Sequence, residues 1–405
     1  MSSPTTTLSA YDHPSQFEPL MPGVPGVPGV LGRLEPLAAQ VVAASLRLQG
    51  RVPPEMAALL RERVRSMNSY YSNRIEGQGT HPRHIEAALQ QRFDASPDIA
   101  QRQRIALAHI EAERALETEG LVGPPALQSH TLQRAHEALY QRLADTDRTT
   151  PDGRVIGPGA WRANEVAVGR HQAPLHSAVA AFLKRADQVY GQPMGQERWL
   201  VAVACAHHRL AWVHPFEDGN GRACRLQTHA ALFGLSQGLW SVNRGLARHQ
   251  AEYYRWLDEA DAPRQGDLDG RGNLSERALA AWCEFFLGQC LDQVEFMERL
   301  FALDGVKARW RALILTRQAE GRGEGYRPEA VMPLQYMAAL GHVSRAEFRQ
   351  MTGLGERTAR KVISQLITDG LLTSDSHRGD LRLGLPLDAM HVLFPALYPE
   401  ANQPD

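Results

Sequence analysis

The sequence predicts the all-α fold class: a helical core that carries one small β-hairpin flap, followed by a C-terminal winged helix-turn-helix domain. Apolar residues recur at three- and four-residue spacing over most of the chain between residues 34 and 303, which is typical of amphipathic helices. The alternation of Val, Ile and Thr that marks strands is scarce in the same region. Beyond a glycine-rich linker, the periodic segments become short and are separated by tight turns.

Residues 1–33 are predicted to form a flexible N-terminal arm. They are rich in Ser, Thr, Pro and Gly, and they include the tandem run Pro22 to Val30. Such a composition cannot bury enough apolar surface to offset the entropy lost when the chain becomes ordered. A ligand for a proline-recognition domain is the alternative interpretation of this run.

The helical core is predicted from five segments whose apolar residues fall on one face. They are Ile99 to Leu116, Pro125 to Leu143, Leu175 to Val189, Glu197 to Val213 and Glu276 to Leu300. The Gly-Pro-Gly run at 157–159 breaks the periodicity, and a short hairpin is predicted over Arg154 to Val168. We therefore expect an N-terminal helical region at 34–120 and the core at 121–303.

A helix and a linker are expected at 304–330, and Gly321 to Gly325 is the linker. A separate domain is expected at 331–405. Three helices and two strands are predicted in this domain: Val331 to Leu340, Ser344 to Met351, Glu356 to Asp369, Leu371 to Thr373 and Leu381 to Leu383. Helix, tight turn, helix and a two-stranded wing is the layout of a winged helix-turn-helix.

The sequence is compatible with three kinds of partner for this C-terminal domain. Arg357, Arg360 and Lys361 cluster at the start of a predicted helix and would suit DNA phosphates. Acidic residues nearby almost cancel their charge, which weakens the case for DNA. Docking of a target protein and homodimerisation are the alternatives, because winged helices serve both purposes.

Composition narrows the class of protein. The formal net charge of −1 argues against an overall electrostatic attraction to nucleic acid or to an anionic membrane. The four cysteines show no CxxC pairing, which fits a reducing compartment. No apolar run approaches the length of a bilayer span, and the N-terminus lacks a basic-then-apolar signal pattern. A cytoplasmic enzyme without a membrane partner is the expectation.

The chemistry is expected in the segment from His214 to Arg225. A long helix ends at its start, because Pro215 disfavours helical geometry in the residue before it. Gly219 and Gly221 turn the chain, and helical periodicity resumes near Asn220. A glycine-rich turn that opens a helix presents unpaired N–H groups and the positive end of the helix dipole, which suits phosphates.

Four side chains of this segment add the groups that phosphoryl or nucleotidyl transfer requires. Arg222 and Arg225 lie three residues apart at the start of the new helix, where two guanidinium groups can neutralise a polyphosphate. Asp218 supplies a hard oxygen ligand for Mg²⁺. His214, with a near-neutral pKa, is a suitable base for an attacking hydroxyl. Together they predict catalysis by positioning and charge stabilisation.

These residues resemble the signature of the Fic family, HxFx(D/E)GNGRxxR, and every defining position is filled. The resemblance implies a helical Fic core that transfers AMP from ATP to a protein hydroxyl and releases pyrophosphate. By position, it makes His214 the base and Asp218 the Mg²⁺ ligand. It also assigns the phosphates: the α-phosphate to Gly219, Asn220 and Gly221, the β-phosphate side to Arg222, and the γ-phosphate to Arg225.

Ser72 to Gly77 resembles the inhibitory motif of the family, (S/T)xxxE(G/N). Ser72 and Glu76 are one helical turn apart and Gly77 is a suitable helix cap, so Glu76 is expected at a helix end. The resemblance implies that Glu76 pairs with Arg225 and blocks the productive position of the γ-phosphate. An ordinary solvated glutamate is the alternative.

The segment from Gly159 to His171 resembles the family's flap, which lies over the site and holds the target segment by backbone pairing. A plain surface hairpin is the alternative. The flap residues expected nearest the nucleotide are Val168, Gly169, Arg170 and His171.

Tyr253 and Tyr254 resemble the stretch of the family that lines the adenine pocket, with core packing as the alternative. Asp261 stands where relatives often carry Asn. Its carboxylate can accept a hydrogen bond from the adenine amino group but cannot donate one, so the amide contact expected in the family is in doubt.

The sequence thus predicts an autoinhibited AMP transferase that uses ATP and Mg²⁺ and modifies a Ser, Thr or Tyr hydroxyl of a target protein and of itself. Two alternatives stay open. The first is removal of AMP from a modified protein at the same site, with Glu76 positioning a water. The second is a DNA-binding regulator whose core senses nucleotides.

Overall fold

A computed structural model of the protein describes residues 11–23, 30–150, 152–169, 171–323 and 325–397. Within these residues the fold is helical, with 16 α-helices and five strands of two or three residues each. The predicted helical fold class is confirmed. None of the described helices combines the length and the apolar character that a bilayer crossing requires.

The α-helices account for most of the described chain. The first eight are α1 (Val30–Arg51), α2 (Pro54–Ile75), α3 (Pro82–Leu89), α4 (Pro97–Thr118), α5 (Ser129–Tyr140), α6 (Val179–Tyr190), α7 (Gln196–Val213) and α8 (Asn220–Ser236). The next eight are α9 (Val242–Arg248), α10 (Gln250–Ala260), α11 (Glu276–Leu300), α12 (Leu303–Ala319), α13 (Val331–Leu340), α14 (Arg345–Thr352), α15 (Glu356–Thr368) and α16 (Leu387–Leu393). Short 3₁₀ turns lie at Pro14–Phe17, Pro124–Leu127, Asp145–Asp147, His176–Ala178 and Pro328–Ala330.

Helix α7 forms the centre of the core. All residues from 200 to 210 are buried, because α1, α6, α8 and α11 pack around it. The fully buried indole of Trp282 in α11 donates a hydrogen bond to the carbonyl oxygen of Ala204 at 2.7 Å. The buried α7 and α8 are joined by the turn at 214–219, so the turn is carried by two fixed helices.

Part of the predicted flexible arm is packed on this core. Phe17 is fully buried, with its ring centroid 5.0 Å from that of Phe182 and 5.8 Å from that of Trp212. The expectation of a flexible arm is therefore wrong for residues 11–23, because their apolar side chains fill a site between α6 and α7. The Pro-Gly-Val residues at 24–29 lie outside the described residues.

The hairpin lies later in the chain than predicted. Its strands are β1 (Ala167–Val168) and β2 (His171–Gln172), which pair antiparallel, and Gly169 turns between them with φ +58°. Residues 154–166 instead follow an irregular path. Gly159 donates its N–H to His136 Nδ1 at 3.0 Å and accepts from Gln133 at 2.9 Å, so α5 already occupies the backbone groups that a strand would need.

The C-terminal part contains a three-stranded antiparallel sheet. Strands β3 (His342–Val343), β4 (Leu372–Thr373) and β5 (Leu381–Leu383) are ordered β3-β5-β4. The sequence predicted β4 and β5 and missed β3, since two residues carry no alternation signal. The winged helix-turn-helix assignment and the domain boundaries stay predictions.

Arg360, which was considered for DNA contact, and Arg382 of β5 both form ion pairs within this part of the chain. Arg360 pairs with Glu356 at 2.6 Å, and Arg382 pairs with Asp375. Both pairs are exposed and therefore weak. A nucleic acid would have to displace the carboxylates, so DNA docking stays a prediction.

Candidate functional site

The turn between α7 and α8 reverses the chain within six residues. His214 ends α7 in the left-handed region, with φ 49° and ψ 60°, a conformation uncommon for residues other than glycine. Gly219 precedes α8 with φ +77°, and a Cβ atom there would lie 2.5 Å from the ring of Tyr140. Only glycine fits this position without strain, and the first N–H groups of α8 follow directly after it.

Asn220 braces this turn. Its Oδ1 accepts from the N–H of Phe216 at 2.9 Å, and its Nδ2 donates to the carbonyl of Phe216 at 2.9 Å. The Phe216 ring is buried and stacks on His136 at 3.8 Å and on Trp161 at 5.0 Å. The side chain of Asn220, which the resemblance assigned to the α-phosphate, is therefore committed to the loop, and its backbone N–H remains for an anion.

Arg162 fastens the flap segment to the turn. Its Nε donates to the carbonyl of His214 at 2.8 Å, and its other nitrogens donate to the carbonyls of Asn164, at 2.8 Å, and Pro174. The guanidinium is fully buried. The sequence analysis gave Arg162 no role, because its acceptors are backbone atoms up to 52 residues away.

The His214 imidazole is held in its neutral form. Burial lowers its pKa from 6.5 to about 4, and the nearby His171 and Arg162 add to the effect. This value is lower than the near-neutral pKa expected from the sequence. At neutral pH the ring can therefore accept a proton.

Asp218 presents a carboxylate to solvent. Its side chain is 55% exposed, and its Oδ2 accepts from Tyr140 Oη at 3.1 Å. Oδ1 has no partner among the described residues. An exposed carboxylate with a free oxygen fits Mg²⁺, which binds one or two carboxylates and completes its shell with water and phosphate oxygens.

Tyr140 links the candidate metal ligand to the first arginine. It accepts from Arg222 at 2.8 Å while it donates to Asp218. Arg222 also donates to Gln78 at 3.0 Å. The sequence analysis missed Tyr140, since it lies 78 residues before Asp218 and no local motif marks it.

Arg225 is buried and donates hydrogen bonds to residues at the end of α2. Its side chain is 1% exposed. It donates to Ser72 Oγ and to the Ser72 carbonyl, both at 3.0 Å, and to Glu76 Oε1 at 2.5 Å. The structure thus brings together the two ends of the predicted inhibitory contact, which are 149 residues apart in the chain.

Glu76 lies against the first turn of α8. A Cβ atom on Gly221 would lie only 2.4 Å from Glu76 Oε1, so the carboxylate touches the backbone of this turn. Burial alone would raise the pKa of Glu76, but the charge and hydrogen bond of Arg225 outweigh it and the pKa lies below its ordinary value. The carboxylate is therefore ionised and occupies the space in front of the helix N-terminus.

The end of α2 is anchored by α10. The carbonyl of Ile75 accepts from Gln250 at 2.9 Å and from the Tyr254 hydroxyl at 3.0 Å. These bonds satisfy a carbonyl that the last turn of α2 leaves unpaired. Tyr254, predicted to line a base pocket, is thus engaged in positioning the helix that carries Glu76.

Tyr253 and Asp261, also predicted near a base, bond to histidines. Tyr253 is buried and its hydroxyl bonds to His207 at 2.9 Å. Asp261 lies 3.0 Å from His208 Nε2 and 3.5 Å from Nδ1 of His171, a flap residue. Both side chains therefore have protein partners in this structure.

The hairpin residues form an exposed edge. Val168 is 47% exposed and pairs across the hairpin with His171, whose Nε2 lies 2.8 Å from the carbonyl of Trp212. Gly169 is exposed at the tip. Arg170 lies outside the described residues.

Comparison with known proteins agrees with this geometry. The Fic/DOC family model matches residues 126–232, which contain α5, the flap and the turn. Proteins named Protein adenylyltransferase Fic are similar in sequence: that of Drosophila mojavensis is 29% identical over 114 residues, and that of Drosophila willistoni is 26% identical over 170 residues. These matches span 28% and 38% of this chain but only 22% and 33% of the two relatives. Residues 126–232 of this chain therefore match a domain of the Fic/DOC family.

The similar proteins of known structure share less sequence identity with this chain than the relatives above. A Fic family protein from Desulfovibrio desulfuricans G20 is 20% identical with a TM-score of 0.47, over 87% of this chain and 97% of that one. Fic-1 from C. elegans is 15% identical with a TM-score of 0.47, over 66% and 73% of the two chains.

Proposed function

We propose that this protein is an autoinhibited adenylyltransferase that transfers AMP from ATP to a side-chain hydroxyl of a target protein, and of itself, and releases pyrophosphate. One observation carries the proposal: a neutral imidazole, an exposed carboxylate and two guanidinium groups lie around the first turn of α8. The names of the similar proteins support the same activity.

The phosphates of ATP would bind at the N-terminus of α8. The N–H groups of Asn220 and Gly221 and the positive end of the helix dipole favour the α-phosphate there. Arg222 and Arg225 would neutralise the β- and γ-phosphates. Mg²⁺, held by Asp218 and phosphate oxygens, would supply further charge neutralisation.

His214 would act as the base. As the target hydroxyl oxygen bonds to the α-phosphorus, its proton passes to the imidazole, and the bond from that phosphorus to the bridging oxygen breaks. The electron pair leaves with pyrophosphate. A bound polyphosphate would raise the pKa of His214 above about 4, because negative charge favours the protonated ring.

The hairpin would present the target segment. The exposed strand at Val168 offers backbone groups with which an extended peptide can pair. Arg162 holds the flap segment against the carbonyl of His214, so a peptide on the hairpin would lie close to the base. The hydroxyl type is left open by this geometry, since backbone pairing does not read side chains.

Glu76 would restrain the reaction. Arg225 cannot take the γ-phosphate while it is paired with Glu76, and an ionised carboxylate against Gly221 repels the triphosphate. Removing the carboxylate should therefore raise activity. The backbone geometry of α2 would change little, since Glu76 is the C-cap that follows the last helical residue, Ile75.

The test is self-labelling with α-phosphate-labelled ATP and Mg²⁺. We expect Glu76→Gly to raise labelling by on the order of tenfold or more, and His214→Ala in the same background to abolish it. Glu119→Gly is the matched control, since Glu119 caps α4 as Glu76 caps α2 but pairs with Arg134 at 2.7 Å instead of with an arginine of α8. Mass spectrometry of the labelled protein would identify the group transferred. Absence of labelling of Glu76→Gly with every nucleotide tried would contradict the proposal.

A further inference from the structure

A cavity of about 350 Å³ lies outside the candidate site, where the start of α2 meets α12, α13 and α16. This volume is within the range of small-molecule sites. Its wall is largely apolar and is formed by buried side chains: Met56, Phe301, Trp310, Leu385, Leu393 and Phe394. A cavity with this lining favours a ligand whose body is apolar.

The charged groups of the lining are all cationic. Arg51, Lys307 and Arg309 border the cavity, and no carboxylate does so among the residues that the structure describes. Arg51 is partly neutralised by Glu298 at 3.4 Å, whereas Lys307 is exposed and has no ion pair in the described chain. An apolar wall with unneutralised positive charge at its edge favours an anionic ligand.

Arg309 is the cationic group of the lining that is partly buried without a counter-charge. It donates to the carbonyl of Leu300 and lies over the ring of Phe394, with its guanidinium carbon 6.0 Å from the centroid. Its Nε is buried without an acceptor. Burial lowers the pKa of Arg309, and no carboxylate offsets the effect. A carboxylate in the cavity would give this guanidinium the counter-charge that it lacks.

We propose that this cavity binds an amphipathic carboxylate, with its apolar body among the aromatic walls and its carboxylate on Lys307 and Arg309. A medium-chain fatty acid is the simplest molecule of this class. The occupant would touch Met56 in the first turn of α2, at the opposite end of that helix from Glu76. The proposal concerns a different part of the molecule from the nucleotide site and does not depend on the proposed transferase activity.

The experiment is titration calorimetry of the full chain with three probes that share one chain length: dodecanoate, dodecan-1-ol and dodecylammonium, each below its micelle-forming concentration. We expect dodecanoate to bind at one site with micromolar affinity, and the neutral and cationic probes to bind roughly tenfold more weakly or not at all. Equal affinity for all three probes, or no binding of dodecanoate, would overturn the proposal.

Variants separate binding in the cavity from binding elsewhere. Lys307→Met should weaken dodecanoate by roughly tenfold, while Lys184→Met, which removes an exposed lysine of α6, should not. Ala338→Trp should fill the cavity and abolish binding, and circular dichroism would show whether it folds. Unchanged affinity in Lys307→Met would count against the site even if Ala338→Trp failed to fold.

Discussion

Both arginines of the site are paired with other side chains of the protein. Arg225 donates to Ser72 and Glu76, and Arg222 donates to Gln78 and Tyr140. A guanidinium that already has partners must exchange them for phosphate oxygens. The affinity for a nucleotide therefore includes the free energy of breaking these hydrogen bonds within the protein when the phosphates bind.

Tyr140→Phe tests the bridge between Asp218 and Arg222. The variant keeps the ring that stacks on His136 but removes the hydroxyl. In the Glu76→Gly background we expect KM for ATP to rise by roughly tenfold, since a hydrogen bond to a charged group is worth about 1.5 kcal/mol. Steady-state labelling rates at varied ATP concentration give this value. Tyr190→Phe, which loses a bond to the Leu20 carbonyl, is the control and should leave KM unchanged.

The low pKa of His214 predicts a flat pH profile. A base whose pKa is about 4 is deprotonated at pH 6 and above. An ordinary pKa of 6.5 would instead reduce the rate about fourfold between pH 7.5 and pH 6. We expect the initial labelling rate of Glu76→Gly at low ATP to change by less than this factor over that range. A fourfold fall would show that the pKa of His214 is not depressed.

At the scale of elements, α4 joins α2, which Glu76 caps, to α8. Glu113 of α4 accepts from Asn68 of α2 at 3.1 Å and lies 3.4 Å from Arg65 of α2 and 3.2 Å from His229 of α8. All four residues are buried. His229 lies about one turn after Arg225 on α8, so this network fixes α2 against the part of α8 that Glu76 restrains.

Glu113→Gln removes the charge at the centre of this network. We expect the free energy of unfolding to fall by roughly 3 kcal/mol, because Arg65 and His229 lose a buried counter-charge. If α2 loosens as expected, self-labelling should rise with Glu76 intact, to a level below that of Glu76→Gly. Urea denaturation and labelling measure the two effects.

Glu62→Gln is the matched control for this variant. Glu62 pairs with Arg65 and Arg114 but is 50% exposed, so its loss should change stability by less than about 1 kcal/mol. Equal stability of Glu113→Gln and Glu62→Gln would contradict the role given to Glu113.

At the scale of the whole molecule, the core contains several neutral histidines. His109, His136 and His207 are buried, and burial lowers their pKa values from 6.5 to about 3, 4 and 3. His109 has no hydrogen bond at either ring nitrogen. These residues fill space as uncharged rings in the folded protein and become free to take up protons when it unfolds.

Acid should therefore destabilise the fold. Between pH 6.5 and pH 4 the unfolded chain binds more protons at these three histidines, so the free energy of unfolding falls as pH falls, by about 1.4 kcal/mol per pH unit for each. The raised pKa of His229 acts in the opposite direction, because its contribution is present below pH 6.5 and is lost as pH rises through the folded value. Because three histidines lower the free energy of unfolding on acidification and one acts in the opposite direction, we expect this free energy to fall overall. Urea denaturation at pH 7, 6 and 5 measures it, and constant stability would contradict the burial of neutral rings.

Local patterns predicted the helical elements well and the irregular ones poorly. Helix α13 has the predicted bounds Val331–Leu340, because its periodicity needs no distant partner. The hairpin was misplaced because the backbone groups of Gly159 bond to α5, which no nearby residue reveals. The packing of Phe17 was missed for the same reason, since its neighbours lie more than 160 residues further along the chain.

The sequence by itself determined the helical class and the grouping of His214, Asp218, Arg222 and Arg225, because helical periodicity and a turn-to-helix junction are properties of neighbouring residues. Only the tertiary structure decided which groups surround them. Tyr140, Arg162 and Glu113 act through partners that lie up to 116 residues away along the chain, some of them backbone atoms. Packing of whole helices brings such groups together, and it depends on the shape and burial of many side chains at once.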